Sequence, residues 1–238
     1  MSKTPENQAP NFNRLARAYR WLEYLSFGPF LWRCRVHFLS QLAECRHALV
    51  LGDGDGRFTA KLLRIIPQVR VHAIDASSRM IESLRQSAAP HRDRLTTEVA
   101  DLRTWQPPSG EKYDLIVTHF FLDCLTTGEV AQLAHSISPF LTRNALWLVS
   151  EFAVPQTFFG RTIAAPLVTL LYRAFGWITG LRPQSLPNHD QALALAGWAP
   201  QANYTRLHGL LVSQLWRFSS DPAGPVLHPK PLGIRLPK

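Results

Sequence analysis

The spacing of hydrophobic positions predicts a helical start to the chain. Residues 1–11 are polar and contain two prolines, which predicts a disordered segment. Across residues 12–45, apolar side chains recur at helical spacing up to Gly28 and again from Phe30 to about Glu44. We therefore expect a helical cap of two helices ahead of the main domain.

From residue 46 the pattern changes to short apolar runs that alternate with amphipathic segments. Strands are expected at 48–51, 69–74, 95–100, 113–118 and 145–150, and helices at 57–66, 78–88 and 128–137. Strands and helices that alternate with short links predict a Rossmann-like, doubly wound α/β fold.

After Glu151 the alternation pauses, and residues of about 152–189 form an insertion that we interpret as a helical lid. A short helix at 190–196 and a hairpin of strands 203–208 and 210–218 follow. These two strands bring the mostly parallel sheet to seven strands, within a domain of residues 46–218. The tail at 219–238 is rich in proline and is expected to be extended or disordered.

The insertion contains an apolar segment, residues 162–181, whose function the sequence leaves open. It falls short of the roughly 20 apolar residues that a spanning helix needs, so we do not interpret it as transmembrane. As a lid it would close over an apolar acceptor. As a membrane-docking surface, Arg161, Arg173 and Arg182 would meet anionic headgroups. It could instead be a packed subdomain or a dimer interface.

Composition fits a folded globular protein and leaves several partners open. Hydrophobic residues make up 46% of the chain and charged residues 18%. The net charge is +9, but the basic residues are scattered and form no run. A solvated basic surface is the simplest interpretation, with attraction to an anionic membrane next and nucleic acid last.

The three cysteines and the polar start favour a cytoplasmic protein, with membrane association through the insertion as an open alternative. Cys34, Cys45 and Cys124 form no CxxC pair, which fits a reducing compartment. The first residues contain no apolar core of a signal peptide. The histidines have no ligand spacing, so no metal is expected.

A glycine-rich loop follows the first predicted strand and carries the strongest functional signal. Gly52, Gly54 and Gly56 let a backbone turn approach a ligand closely. Asp75 ends the second strand, where a carboxylate can accept hydrogen bonds from the ribose hydroxyls of an adenosine. Loop and acid together predict an adenosine-containing cofactor.

The acids in this loop discriminate between cofactors. Dinucleotide sites use GxGxxG and place a pyrophosphate at the following helix, whereas Arg57 here follows the third glycine of GxGxG. Asp53 and Asp55 would repel a pyrophosphate but tolerate the sulfonium and ammonium of S-adenosylmethionine. Charge therefore favours S-adenosylmethionine over NAD.

From about Ala48 to Glu151 the sequence resembles a class I S-adenosylmethionine-dependent methyltransferase. The glycine loop matches the first motif of that family, except that Val50 stands where the family has an acid. Asp53 or Asp55 could compensate. The flanks are most similar to the ubiquinone/menaquinone biosynthesis methyltransferase group, whose members act on small apolar acceptors.

The resemblance implies a cofactor site assembled from several strand ends. Asp75 would bind the ribose, Ala76 and Met80 would pack near the adenine, and Asp101 and Leu102 would meet the adenine edge. Thr118 ends the fourth-strand motif, and Tyr19 could cover the cofactor from the cap.

Candidate catalytic residues follow the fourth strand. His119 could act as a base, or it could only pack against the cofactor or lid. Asp123 could orient His119, or it could cap the next helix. In the insertion, Tyr172 and Arg173 are candidate substrate contacts, with Arg173 pairing an acidic group on the acceptor.

The predicted reaction is methyl transfer to oxygen or carbon of a small, partly apolar or aromatic molecule. One alternative is a protein that binds S-adenosylmethionine without transferase activity, or that uses it for a different reaction. An NAD-dependent oxidoreductase is a second. Nucleic acid is not an expected substrate, because the segment after strand four lacks the prolines of an Asn/Asp-Pro-Pro-Tyr motif.

Overall fold

The computed structural model describes residues 29–155 and 186–219. In these ranges a seven-stranded sheet is flanked by helices on both faces. The strands are β1 (His47–Leu51), β2 (Arg70–Asp75), β3 (Leu95–Val99), β4 (Tyr113–His119), β5 (Leu141–Phe152), β6 (Trp198–Arg206) and β7 (Leu211–Phe218). The helices are α1 (Phe30–Val36), α2 (Arg57–Ile65), α3 (Ser78–Ser87), α4 (Thr127–Ile137) and α5 (His189–Leu195).

The strand order is β3-β2-β1-β4-β5-β7-β6. The first five strands pair in parallel, and β7 runs antiparallel between β5 and β6. The predicted Rossmann-like, mostly parallel seven-stranded sheet is therefore confirmed. The disordered start, the first cap helix, most of the lid and most of the tail lie outside the described residues.

The central strands are apolar on both faces because helices cover both sides. On β1, Leu49 and Leu51 point into the cluster that contains α4 and α5, whereas Ala48 and Val50 point into the cluster that contains α2. Trp147 of β5 is fully buried in the first cluster. Neighbouring side chains of a central strand therefore enter opposite clusters. The loops that follow the strands lie beyond this core.

Several element boundaries differ from the prediction. The expected single helix from Phe30 to Glu44 ends at Val36, and a separate 3-10 turn spans Leu39–Leu42. Strand five begins at Leu141, four residues before the expected Ala145. The added residues include Asn144, whose positive φ of +66° interrupts the regular strand geometry. The first hairpin strand begins at Trp198, directly after Gly197, because it pairs with β7 along its full length.

The helix that follows β4 is capped by Thr126. Its hydroxyl accepts the N–H of Glu129, and the Glu129 carboxylate accepts the N–H of Thr126 in return. This capping box satisfies donors at the start of α4. The interpretation of Asp123 as the cap of this helix is therefore wrong, because Asp123 lies three residues before the capping position.

Candidate functional site

Two loops meet where the order of the sheet reverses. β1 and β4 are neighbours, and the chain continues outward from them in opposite directions. Ligands of open α/β sheets bind beyond the carboxyl ends of the strands at such a reversal. The glycine loop, residues 52–56, follows β1, and the segment 120–126 follows β4, so both border the candidate site.

The glycine loop needs glycine for conformation and for close packing. Gly52, Gly54 and Gly56 have φ of +68°, +63° and +75°. A Cβ atom on Gly52 would lie 2.4 Å from the ring of Phe121, and one on Gly56 would lie 2.5 Å from the Cα of Leu84. The loop is thus wedged between the segment after β4 and helix α3.

The two aspartates of the loop are buried but have different partners. Asp53 is 5% exposed, and its carboxylate accepts the N–H of Thr59 at 2.9 Å in the first turn of α2. Burial raises the pKa of Asp53 to about 6, against the opposing effect of the nearby Arg35 charge. Asp55 instead forms an ion pair with Arg57 at 2.8 Å. Burial therefore favours the neutral form of Asp53.

Asp75 connects the end of β2 to the glycine loop. Its carboxylate accepts the N–H of Ser77 at 2.8 Å and a backbone hydrogen bond from Gly54. Its main-chain carbonyl accepts the N–H of Ala100 at 3.1 Å. Burial raises the pKa of Asp75 to about 6, although both hydrogen bonds to its carboxylate act in the opposite direction.

The residues expected near an adenine lie around the ends of β2 and β3. Ala76 is exposed, whereas Met80 is buried on the inner side of α3. Leu102 is buried at the turn after β3. Asp101 is exposed and accepts the N–H of Arg103 at 3.0 Å. The hydrogen bond from the N–H of Ala100 to the Asp75 carbonyl joins the ends of β2 and β3, so these positions lie near one another.

Thr118 and His119 are buried at the end of β4. The Thr118 side chain is fully buried, and its hydroxyl accepts the indole N–H of Trp147 at 3.0 Å. Thr118 therefore faces the core cluster with its side chain. His119 is 2% exposed and packs edge-on against Phe58 at 4.4 Å between ring centroids.

Among the described residues, no carboxylate is hydrogen-bonded to the His119 ring. Neither of its ring nitrogens has a hydrogen-bond partner among the residues that the structure describes. Burial, together with the charge of Arg35, lowers the pKa of His119 well below its usual value. The predicted hydrogen bond from Asp123 to His119 is thus not formed, and the imidazole is neutral at pH 7.

Glu151 is a buried acid that the sequence interpretation did not assign to the site. It ends the apolar part of β5 and is 1% exposed. One carboxyl oxygen accepts the N–H groups of Phe121 at 3.1 Å and Leu122 at 2.8 Å. The signal in the sequence was a charged residue within an apolar strand, which is costly to bury unless hydrogen bonds compensate it.

Val50 occupies the position at which the resembling family has an acid. It is 1% exposed and packs in the apolar cluster beneath α2. Asp53 is the nearest buried carboxylate of the loop in sequence. Tyr19, Tyr172 and Arg173 lie outside the described residues.

Residues 29–155 and 186–219 lack two further features. No group of three or more His, Cys, Asp or Glu side chains there is arranged to hold a metal ion. Within those same two ranges, none of the helices has both the length and the apolar character to cross a membrane.

Part of the chain is similar to known methyltransferases. A family model described as a methyltransferase domain matches residues 48–144. A malonyl-[acyl-carrier protein] O-methyltransferase from Halalkalibacterium halodurans is 31% identical over 119 residues, which are 49% of this chain and 42% of that protein. The chain thus spans about two fifths of the length of this relative.

Two solved structures share the fold at low identity. An O-methyltransferase family 2 protein from Planctomyces limnophilus, in complex with apigenin, is 19% identical with a TM-score of 0.62. The match covers 83% of this chain and 61% of that protein. The N-methyltransferase NodS from Bradyrhizobium japonicum, in complex with S-adenosyl-L-homocysteine, is 16% identical with a TM-score of 0.55, over 79% and 84% of the two chains.

The tight packing of the glycine loop yields a prediction for its third glycine. Gly56→Ala should lower the free energy of unfolding by about 1–2 kcal/mol because of the left-handed backbone. The clash of the new Cβ atom with Leu84 should lower it by about 1–3 kcal/mol more. Gly110→Ala is the matched control, because Gly110 has φ +89° but nothing within 4 Å of its added Cβ. Urea unfolding measures both, and equal losses would contradict the packing argument.

Proposed function

We propose that this chain, which carries a class I S-adenosylmethionine-dependent methyltransferase domain, transfers a methyl group to oxygen or carbon of a small, partly apolar acceptor. The observation that carries the proposal is the pairing of the glycine loop with Asp75 at the reversal of the sheet. That arrangement suits a ligand with a ribose and a cationic end.

The charge of the loop supports S-adenosylmethionine over a dinucleotide. Asp53 and Asp55 lie between the glycines, where a pyrophosphate would have to approach two carboxylates. The sulfonium and ammonium groups of S-adenosylmethionine are attracted by the same charges. The cofactor-bound N-methyltransferase of the same fold is named with the demethylated form of this cofactor.

We assign the parts of the cofactor to the residues of the site by the family resemblance. Asp75 binds the ribose hydroxyls, and Ala76, Met80 and Leu102 surround the adenine, with Asp101 at its amino group. The backbone of the glycine loop faces the methionine portion, and Tyr19 covers it. Thr118 contributes through its main chain, since its side chain is bonded to Trp147.

The chain accelerates the reaction mainly by alignment and by exclusion of water, because the sulfonium methyl is already activated. Its own residues need to hold the acceptor atom in line with the methyl carbon and sulfur. His119 is the candidate base. Its lowered pKa keeps it neutral at pH 7, as a base must be, but also makes it a weak proton acceptor.

A weak base favours an acceptor that loses its proton readily. Carboxylic acids and acidic phenols are ionised, or nearly so, at neutral pH and need little assistance from His119. The relative from H. halodurans is named for oxygen methylation of a malonyl group, and the P. limnophilus structure contains apigenin. We therefore propose oxygen of a carboxylate or phenol as the first acceptor class to test, with Tyr172 and Arg173 as its contacts.

A second candidate function is cofactor binding without methyl transfer. The observation in its favour is Val50, an apolar residue at the position of the acid in the first motif. In that case the cleft would bind S-adenosylmethionine, and no acceptor would be methylated. An NAD-dependent oxidoreductase is the remaining alternative, and the loop acids oppose it.

Partners and location stay predictions. We expect a cytoplasmic protein that acts on a small molecule and not on nucleic acid. The insertion of about residues 152–189 would serve as a lid, as a peripheral membrane contact or as a homodimer interface. The domain boundaries at 46 and 218 are likewise proposed from the sequence.

Binding of S-adenosylhomocysteine tests the cofactor assignment. Wild-type protein should bind it in isothermal titration, whereas NAD should give no heat of binding. Asp75→Ala should weaken binding about 100-fold, because it removes a charged acceptor of two hydroxyl groups. Asp101→Ala should weaken it less, since that side chain is exposed and near Arg103. Equal affinity of wild type and Asp75→Ala would refute the ribose assignment.

The affinity should also depend on pH through Asp75. Because its pKa is raised to about 6, the carboxyl is largely protonated near pH 5 and ionised near pH 7.5. Affinity for S-adenosylhomocysteine should therefore rise about tenfold between these values and then level off. Asp53 titrates in the same range, so Asp53→Asn and Asp75→Asn are compared. If the affinity of Asp75→Asn for S-adenosylhomocysteine still rises with pH as in wild type, a group other than Asp75 causes the pH dependence.

Methyl transfer itself is tested with an acceptor panel. Wild-type protein, S-adenosylmethionine and lipophilic carboxylic acids or phenols should release S-adenosylhomocysteine above the rate without acceptor. Amines of matched size are the control for acceptor chemistry. Cofactor binding with no acceptor-dependent product in the whole panel would favour the binding-only alternative.

A further inference from the structure

The turn that follows β4 has a strained backbone. Phe120 has φ +52°, in the left-handed region that bulky side chains rarely adopt. Such a conformation persists only where surrounding contacts impose it, and it is concentrated at functional sites. Its position directly after His119 puts it at the edge of the proposed methyl-transfer site.

The contacts that impose this conformation come from the end of β5. The N–H of Phe120 donates to the carbonyl of Ser150 at 2.7 Å. The next two N–H groups, those of Phe121 and Leu122, donate to one carboxyl oxygen of Glu151. Consecutive N–H groups that converge on one oxygen form an anion-binding concavity of the main chain, and Glu151 fills it.

The turn directs two aromatic rings to different neighbours. Phe121 lies against Gly52, so close that a Cβ atom there would be 2.4 Å from its ring. Phe120 packs against Phe152 with ring centroids 5.0 Å apart. A change in the turn would therefore move the Phe121 ring, which touches Gly52 of the glycine loop.

The Glu151 side chain is buried where it makes this contact. It is 1% exposed, and its other carboxyl oxygen has no hydrogen-bond partner among the described residues. Burial and the adjacent Asp123 raise the pKa of Glu151 well above its usual value, which favours the neutral form of the carboxyl. Both N–H groups donate to one carboxyl oxygen, so an amide oxygen at the same place is an equivalent acceptor.

We propose that Glu151 is a positioning residue of the methyl-transfer site, which holds the strained turn after β4 and so fixes Phe121 against the glycine loop. The proposal rests on the function proposed above. Glu151 acts through the main chain of the turn and does not touch the cofactor in this role. An uncharged side chain with an oxygen at the same place should replace it.

Three variants test this role by isothermal titration with S-adenosylhomocysteine and by thermal unfolding. Glu151→Gln retains an acceptor oxygen and should bind within about twofold of wild type. Glu151→Leu removes the acceptor from two buried N–H groups and should bind about tenfold more weakly. Ser213→Ala is the matched control, because it removes a buried hydroxyl that bonds Ser150 at 3.1 Å and leaves the turn intact.

Ser213→Ala should lower the unfolding temperature but leave the affinity unchanged. Should Glu151→Leu fail to fold, Glu151→Asp replaces it, because its shorter side chain withdraws the oxygen from the turn and should also weaken binding. Amide hydrogen exchange gives a second readout: Phe121 and Leu122 should be protected in wild type and Glu151→Gln, and exposed in the weakened variant.

The outcomes separate the two proposals. A wild type that does not bind S-adenosylhomocysteine overturns the proposed function and the role of Glu151 with it. A wild type that binds, together with an equally tight Glu151→Leu or Glu151→Asp, overturns only the positioning role. Binding by Glu151→Gln as weak as that of Glu151→Leu also overturns it, since hydrogen-bond acceptance would then not be what matters.

Discussion

The parallel pairing of β1 with β4 is the constraint on which the rest of the molecule depends. Val50 and Leu51 lie beside Val117 and Thr118, so both strands end at the same edge of the sheet. Because the chain leaves the two strands in opposite directions, their following loops cannot cover one another fully. The position of the two loops is a consequence of strand order, and the apolar core beneath them keeps both strand ends in place.

On this frame, the site is built mainly from backbone groups that side-chain carboxylates hold. Asp53 binds the first turn of α2, Asp75 binds the glycine loop, and Glu151 binds the turn after β4. Asp53 and Glu151 are buried and Asp75 is partly buried, and burial raises the pKa of each. The loops are therefore ordered by hydrogen bonds across the strand ends.

The sequence predicted what depends on local chemistry. Apolar runs bounded by glycine or proline located the strands, and GxGxG located the loop with positive φ. It did not predict what depends on distant partners. A phenylalanine carries no signal for a left-handed backbone, and nothing near Glu151 indicates that its partners lie 30 residues earlier. Likewise, Asp123 and Thr126 are both plausible caps by residue type, and only the reciprocal bonds with Glu129 distinguish them.

The antiparallel strand β7 has a consequence for how this protein can change over time. β5 ends at Phe152 beside the first residue of β7, at the same edge as the candidate site. Between Phe152 and α5, the described residues 153–155 and 186–188 belong to no strand. Substitutions in these residues would leave the β5–β7 register, which runs from Leu146 to Phe152, in place. The glycine loop and the turn after β4 can change less over time, because each depends on hydrogen bonds to one particular carboxyl group.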